Sequence, residues 1–470
     1  MEYVLGVDFG TSYFKMGLFN HQGDLCGLGR VAVVPDQGDG SRSEIPLSRF
    51  WSLLRSGLAE ACRQAQAKPG QIRAVAYASQ ANSFVLLDRY RHPLTPIILW
   101  NDQRGRDLPQ TEKIFEKKDF LHCTGLGIAC NPEFCVAKIT WMQKHQPELL
   151  LKAAHLLTLS DYFVFSLTGA PVGDAGTASL LGLLNLHTLT WLGDVIDLAD
   201  LHLSTPLIAG TIAGGVSRQG VALLGLNENV PVVLGSLDNH LAALGAGLGS
   251  IAEMSESTGT VLACLKDTAE FLPRPGICTG LALNKGAYYQ LCFSGNGAAS
   301  LEWYCQTYAP ESSMADLEQG AAAVEIGSAG LLARPDARRY PDLSGFLNRK
   351  AVHSPVVYVR AIMESTAADL TQLVNALATD NLPKKITATG GGAQSDLWLQ
   401  IKADLLGIEF IRTATKAPAC MGAAMLAARA IGWFPDLATL SQTWIKIKKW
   451  FHPIPANQEK YQAWYMTRAV

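Results

Sequence analysis

No stretch of this 470-residue chain holds the roughly 20 uninterrupted apolar residues that a membrane-spanning helix needs. The apolar run from Val230 to Ala252 is broken by Asp238, Asn239, His240 and several glycines. Neither sign of charge dominates: 39 Lys and Arg against 41 Asp and Glu leave a formal charge of −2, so no basic arm or stripe points to nucleic acid or an anionic membrane as partner. The opening MEYVLGVDFG lacks a positive stretch ahead of an apolar one, and no signal peptide is expected. The ten cysteines never fall in CxxC spacing, which argues against a disulfide framework or a zinc ribbon; reduced core thiols in a cytoplasmic protein are expected. Two nucleotide signatures are missing as well. There is no GxxxxGKS or GxxxxGKT, which excludes a P-loop, and no GxGxxG after a strand, which leaves a Rossmann site unsupported.

What is present reads as a globular α/β chain too long for one ordinary core. YVLGVDFG, YFKMGLFN and LCGLGRVAVV form a strand meander punctuated by turns. LSRFWSLLRSGLAEACRQAQ follows as a helix with Leu47, Phe50, Leu54 and Leu58 on one face, and IRAVAYAS as a buried strand. The second half echoes the first: EMSESTGTVLACL bends at a Gly-Thr, and YYQLCFSGNGAASLEWY and KKITATGGGAQSDLWLQIKADLLG each run strand, glycine turn, helix. Two halves are therefore expected, 1–247 and 248–470, meeting where GAGLGS places three glycines at two-residue spacing.

Three polar turns carry the candidate chemistry. In VDFGTSYFK a strand ends at Asp8, and Gly10, Thr11 and Ser12 form a turn whose N–H groups and hydroxyls can converge on an anion, with Lys15 on the returning strand. STGTV offers a second such turn, and TGGGAQSDLWLQ puts three glycines between a strand and a helix, where a flat ligand can approach the backbone. Each also reads as an ordinary hairpin or β-to-α turn. In PVVLGSLDNHLAALGAG, Asp238 sits where a buried strand becomes a helix, the place of a catalytic carboxylate or of a plain helix cap.

In their order and spacing, DFGTS, WNDQR, DYFVFSLTG, LGSLDNHLAALGAG, STGTV, VRAIMESTA and GGGAQSDLWLQIKADLLG resemble the FGGY carbohydrate kinase family, within the actin, hexokinase and Hsp70 superfamily. The resemblance spans nearly the whole chain. It implies two RNase H-like domains, each a mixed five-stranded sheet flanked by helices, closing on a deep cleft in which a sugar hydroxyl attacks the γ-phosphate of MgATP. Asp238 then matches the family's base, and Asp8, through water, together with Asp238 the carboxylates that orient Mg²⁺. Gly10, Thr11, Ser12 and Lys15 match the first phosphate turn, Thr258, Gly259 and Thr260 the second, Gly391, Gly392 and Ser395 the adenosine contacts, and Gly297 a further nucleotide contact. On the sugar side stand Gln80, Asn82, Trp100, Asp102 and Asn239, with Arg104 beside Asp102 in either a sugar contact or a surface ion pair. Ala81-Asn82 replaces the Arg-Glu of glycerol kinases and the Met-His of xylulokinases. The expected substrate is an uncharged ketose larger than glycerol, a pentulose such as D-xylulose, and a homodimer is compatible with the resemblance. Alternatives are a kinase of ribulose, sedoheptulose, gluconate or an alditol, a catalytically weakened sugar or nucleotide sensor, and a conformational ATPase. Tyr13 and Cys135 depart from the family pattern and motivate the sensor reading.

Overall fold

The computed structural model describes residues 1–38, 40–193, 195, 201–378 and 381–468. The chain folds as two units: Met1–Gly245, Asp267–Gln290 and Thr415–Trp444 make the first, and Ala246–Lys266, Leu291–Ala414 and Ile445–Val470 the second.

In the first unit the meander forms as the alternation dictates: β1 (Tyr3–Phe9), β2 (Tyr13–Phe19) and β3 (Leu25–Ala32) are antiparallel neighbours. The β2–β3 turn is closed by the Asn20 side chain, whose oxygen accepts the N–H groups of Gln22 and Asp24. β4 (Ile72–Ser79) pairs parallel to β1, β6 (Pro231–Leu237) parallel to β4, and the short β5 (Ile212–Gly215) caps the edge. The order β5-β6-β4-β1-β2-β3 is the expected five-stranded mixed sheet with β5 added as a sixth strand. β1 and β4 lie inside it, with β1 buried along its whole length, which is why both read as near-continuous apolar runs.

Helix α1 (Leu47–Ala65) lies on β3 with Phe50, Leu54 and Leu58 buried as its periodicity predicts. Two glycines of LCGLG allow that approach: a Cβ on Gly29 would stand 1.8 Å from the Gly57 carbonyl oxygen, and one on Gly27 2.0 Å from that of Ala61. Between sheet and helices Phe9 packs edge-on against Phe14 and Phe163, and Phe50 against Trp51.

The second unit is built on β7 (Met254–Thr258), antiparallel to β8 (Leu262–Thr268) and parallel to β10 (Lys385–Thr389). β9 (Tyr288–Ser294) lies beyond β8; β11 (Glu409–Thr413) and β12 (Ile447–Phe451) extend the other edge. Helices α2 (Ala298–Tyr308), α3 (Pro355–Leu377) and α4 (Asp396–Leu406) bury Leu301, Tyr304, Tyr358, Ile362, Trp398 and Ile401 in one core. The chain then returns to the first unit as α5 (Pro418–Ala430), which crosses β1 so closely that a Cβ on Gly6 would lie 1.9 Å from the Cys420 oxygen. All ten cysteines are free thiols. Among the described residues no helix is long and apolar enough to cross a membrane.

Candidate active site

In the first unit the sheet register lines up charges across three strands. Asp8 on β1 faces Lys15 on β2, and Lys15 faces Arg30 on β3. Lys15 Nζ donates to Asp8 Oδ2 at 2.9 Å. Burial disfavours the Lys15 ammonium, but the Asp8 carboxylate outweighs it and raises its pKa. Arg30 was not singled out by the sequence motifs: counting back from the Asn20–Asp24 turn puts Gly29 beside Lys15, and a one-residue register shift between Leu18 and Phe19 brings Arg30 there instead. Its guanidinium stacks 3.6 Å over the Tyr13 ring. Tyr13 therefore shares a face with Lys15, two residues on, with the Arg30 guanidinium covering its ring. At the turn, a Cβ on Gly10 would stand 2.8 Å from the Tyr13 carbonyl oxygen. Ser12 is exposed and accepts the Val33 N–H through its carbonyl oxygen.

Asp238 follows β6 and opens a short helix, Asp238–Gly245. Its Oδ1 accepts the Asn239 backbone N–H at 2.7 Å and the Asn239 amide at 3.1 Å. A helix cap accepts the N–H two or three residues further on, so the carboxylate is not spent on capping. Burial of the carboxyl, then the nearby Asp8 charge, push its pKa up to about 7, against the pull of the Asn239 donors and Lys15. That is an acid–base group poised near neutrality. Next to it, buried His240 hydrogen-bonds Asp267 through Nε2 at 2.9 Å, while its Nδ1 has no partner.

Asp8 and Asp238 form an acidic pair close enough to shift the proton affinity of Asp238. Among the described residues no three His, Cys, Asp or Glu side chains gather into a metal cage. Magnesium, which takes one or two carboxylates beside phosphates and water, fits the Asp8–Asp238 pair.

The sugar-side residues are largely engaged within the protein. Gln80 donates to the Phe9 oxygen at 3.1 Å and accepts from Ser83 at 2.9 Å. Asn82 holds a left-handed backbone, φ 63°; its oxygen accepts the Cys135 N–H at 3.0 Å and its amide donates to the Leu180 oxygen at 3.2 Å. Asp102 and Arg104 form a buried pair, not a surface one: Asp102 also accepts the Ser43 N–H at 2.7 Å, and Arg104 reaches on to Glu44. Half-buried Trp100 donates its indole N–H to Thr11 at 2.8 Å, joining the sugar strand's neighbourhood to the first turn. Beneath them Lys138, fully buried, donates to the carbonyl oxygens of Trp100 at 2.8 Å and Glu133 at 2.6 Å, and reaches that of Asn82 at 3.5 Å. Burial lowers its pKa to about 7. Burial likewise pushes the Cys135 thiol up to about 12, which keeps it neutral and unreactive.

In the second unit the other two turns meet. A Cβ on Gly390 would stand 2.6 Å from the Thr258 oxygen, and one on Gly392 2.6 Å from Thr258 Cγ2, while one on Gly391 meets nothing within 4 Å. The glycine run is thus packed from below and open at its centre. Gly259 accepts the Ala298 N–H at 2.7 Å, and a Cβ on Gly297 would lie 2.5 Å from the Thr260 oxygen, so Gly297 also packs on the turn. Ser395 caps α4 by accepting the Trp398 N–H and donates to Glu318, so its hydroxyl is occupied. The Thr258 hydroxyl points down to Glu256 and Lys402, not outward; neither partner stood out in the sequence.

A model of the N-terminal domain of the FGGY family of carbohydrate kinases matches residues 3–245, and a model of the C-terminal domain matches residues 257–431. The chain is 29% identical to a xylulose kinase of Bacillus subtilis (strain 168), over 98% of this chain and 95% of that one. It is 26% identical to a gluconokinase of Bacillus licheniformis, over 92% and 88%. Ligand-bound xylulose kinase from Lactobacillus acidophilus has the same fold, with a TM-score of 0.88 at 22% identity over 100% of this chain and 97% of that one.

Proposed function

The chain belongs to the FGGY family of carbohydrate kinases, and from that premise we propose that it transfers the γ-phosphate of ATP to the terminal hydroxyl of a five-carbon ketose, D-xylulose or a close relative such as ribulose. The observation that carries the reading is Asp238. Its carboxyl is held at a strand-to-helix junction beside Asp8 and Lys15, with a pKa near 7 and no capping duty. Near neutral pH its ionised form is within reach and able to take the proton from an attacking hydroxyl, a service often worth about 10²–10⁴-fold.

The other residues supply position and charge, which is most of what phosphoryl transfer asks of a protein. The Gly10–Ser12 and Thr258–Thr260 turns and the cations Lys15 and Arg30 are the phosphate ligands, with the Gly259 N–H already given to the Val261 oxygen at 3.1 Å. Asp8 and Asp238 would hold the magnesium ion that accompanies ATP and neutralises phosphate charge. Gly391 leaves the opening for the adenosine moiety. Of the sugar-side residues, Asn239 and the second amide hydrogen of Asn82 are left to read hydroxyls, while the half-buried Trp100, its indole N–H given to Thr11, offers only its ring face. Gln80, Asp102 and Arg104 shape the wall that carries them.

The relatives named xylulose kinase support a pentulose, and the gluconokinase relative makes gluconate the first alternative. A coupled ADP-release screen over pentuloses, hexuloses, heptuloses, alditols and gluconate, ranked by kcat/KM, decides between them. We expect a pentulose at the head of that ranking. Background turnover of every pentulose beside brisk turnover of gluconate or a polyol would overturn the substrate assignment and leave the kinase intact. Binding of sugar and nucleotide with no turnover at all would make the protein a sensor.

A further inference from the structure

Beneath the second turn lies a buried ion pair that phosphoryl transfer does not require. Glu256 on β7 and Lys402 on α4 are both fully buried, with Lys402 Nζ 2.7 Å from Glu256 Oε1. The Thr258 hydroxyl completes the triangle, donating to Glu256 Oε2 at 2.7 Å and accepting from Lys402 at 2.6 Å. The Lys402 ammonium also sits 5.5 Å from the centroid of the Trp398 ring. Stability is a weak reason for such a pair, because its desolvation cost often cancels its attraction and apolar replacements of similar volume are frequently neutral or better.

Its position suggests another reason. Glu256 and Thr258 end the strand that opens into the STGTV turn, and Lys402 lies on the helix that begins just after the glycine run. Thr258 is also the floor on which that run rests, since Cβ atoms on Gly390 and Gly392 would collide with it. One buried network therefore sets the height of both nucleotide-side turns at once.

We propose that Glu256 and Lys402 are positioning residues for the nucleotide, holding Thr258 so that the 258–260 turn and the 390–392 run keep one fixed spacing. This rests on the nucleotide reading given above. The test uses Thr258→Val, which cuts the turn from the pair at nearly constant volume, and the neutral double variant Glu256→Gln/Lys402→Met. Either single charge change strands a buried ion and destabilises the fold, whereas the double change restores stability. We expect both test proteins to melt cooperatively near the wild-type temperature and to keep their KM for sugar. kcat/KM for ATP should fall about 10- to 100-fold, as a small misplacement of bound substrate does, and MgADP affinity measured by calorimetry should fall with it. Recovery of stability together with wild-type ATP kinetics and MgADP affinity in the double variant would reduce the pair to a packing element and overturn the proposal. If the double variant does not fold, Thr258→Val with unchanged MgADP affinity overturns it equally. Wild-type protein that binds no MgADP would instead bring down the nucleotide reading, and the proposal with it.

Discussion

At the scale of single residues, proton affinity is the property that packing changes most. Asp238→Asn keeps the Asn239 contacts by shape but removes the base, so MgATP binding and folding should survive while kcat drops about 10²–10⁴-fold. Near-normal kcat on the best sugar would refute the role. If Asp238 is the base, its active form is the ionised carboxylate, so kcat/KM, which reports the free protein, should climb about tenfold per pH unit below about 7 and level off above it. A second buried pair lies behind this site. Desolvation, with a further push from Asp174, raises the pKa of Asp161 to about 7; burial raises that of Asp174 to about 6, and Asp174 accepts the Tyr77 hydroxyl at 3.0 Å. Both carboxyls bind their proton more tightly in the folded chain than in the unfolded one, where the value is near 4. Their contribution to stability is fullest below about pH 4 and is lost as pH rises through about 6 to 7. Urea denaturation from pH 5 to 8 should therefore show stability falling more steeply in the wild type than in Asp161→Asn. Parallel slopes would mean that Asp161 is ionised throughout. Asp8, Lys15 and Asp238 were legible because strand alternation and a strand-to-helix switch mark them in the sequence. The Asp161–Asp174 coupling was not, since nothing local says that two separate acids are buried side by side.

At the scale of elements, the glycines separate two jobs that look alike in the sequence. Gly390 and Gly392 are needed for packing against Thr258, whereas a Cβ on Gly391 meets nothing within 4 Å, and on the nucleotide reading proposed above that opening gives access. Gly391→Ala should unfold within a few tenths of a kcal/mol of the wild type, the ordinary range for a surface change, while KM for ATP rises and KM for sugar stays put. Unchanged ATP kinetics would show that the nucleotide does not approach there. Gly29→Ala drives a methyl into the α1 backbone and should cost about 1–3 kcal/mol, read from the urea midpoint. The alternating pattern of LCGLG hints at such a close approach, but only the docked helix shows which carbonyls it meets.

At the scale of the whole chain, the first unit is discontinuous. Segments 267–290 and 415–444 return to it after long excursions. Tyr289 donates to the Gly176 oxygen at 3.0 Å, and α5 covers Gly6. A fragment ending at Gly245 would expose the faces those segments cover, so we expect it to lack a cooperative thermal transition. Cooperative melting of residues 1–245 alone would show that the returning segments are accessories.

The sequence by itself determined the strand and helix order, the three glycine-bearing turns, the family and the position of Asp238. These follow from periodicity, turn chemistry and short motifs, all of which act within a few residues. Tertiary structure decided which polar side chains remain free to meet a ligand. Asn82, Gln80 and Ser395 carry the right chemistry in the sequence, yet folding engages their polar atoms with backbone and neighbouring side chains. Glu256 and Lys402, 146 positions apart, become one unit only when strand and helix pack. Most buried polar groups find a partner, and where that partner stands along the chain is set by the fold as a whole.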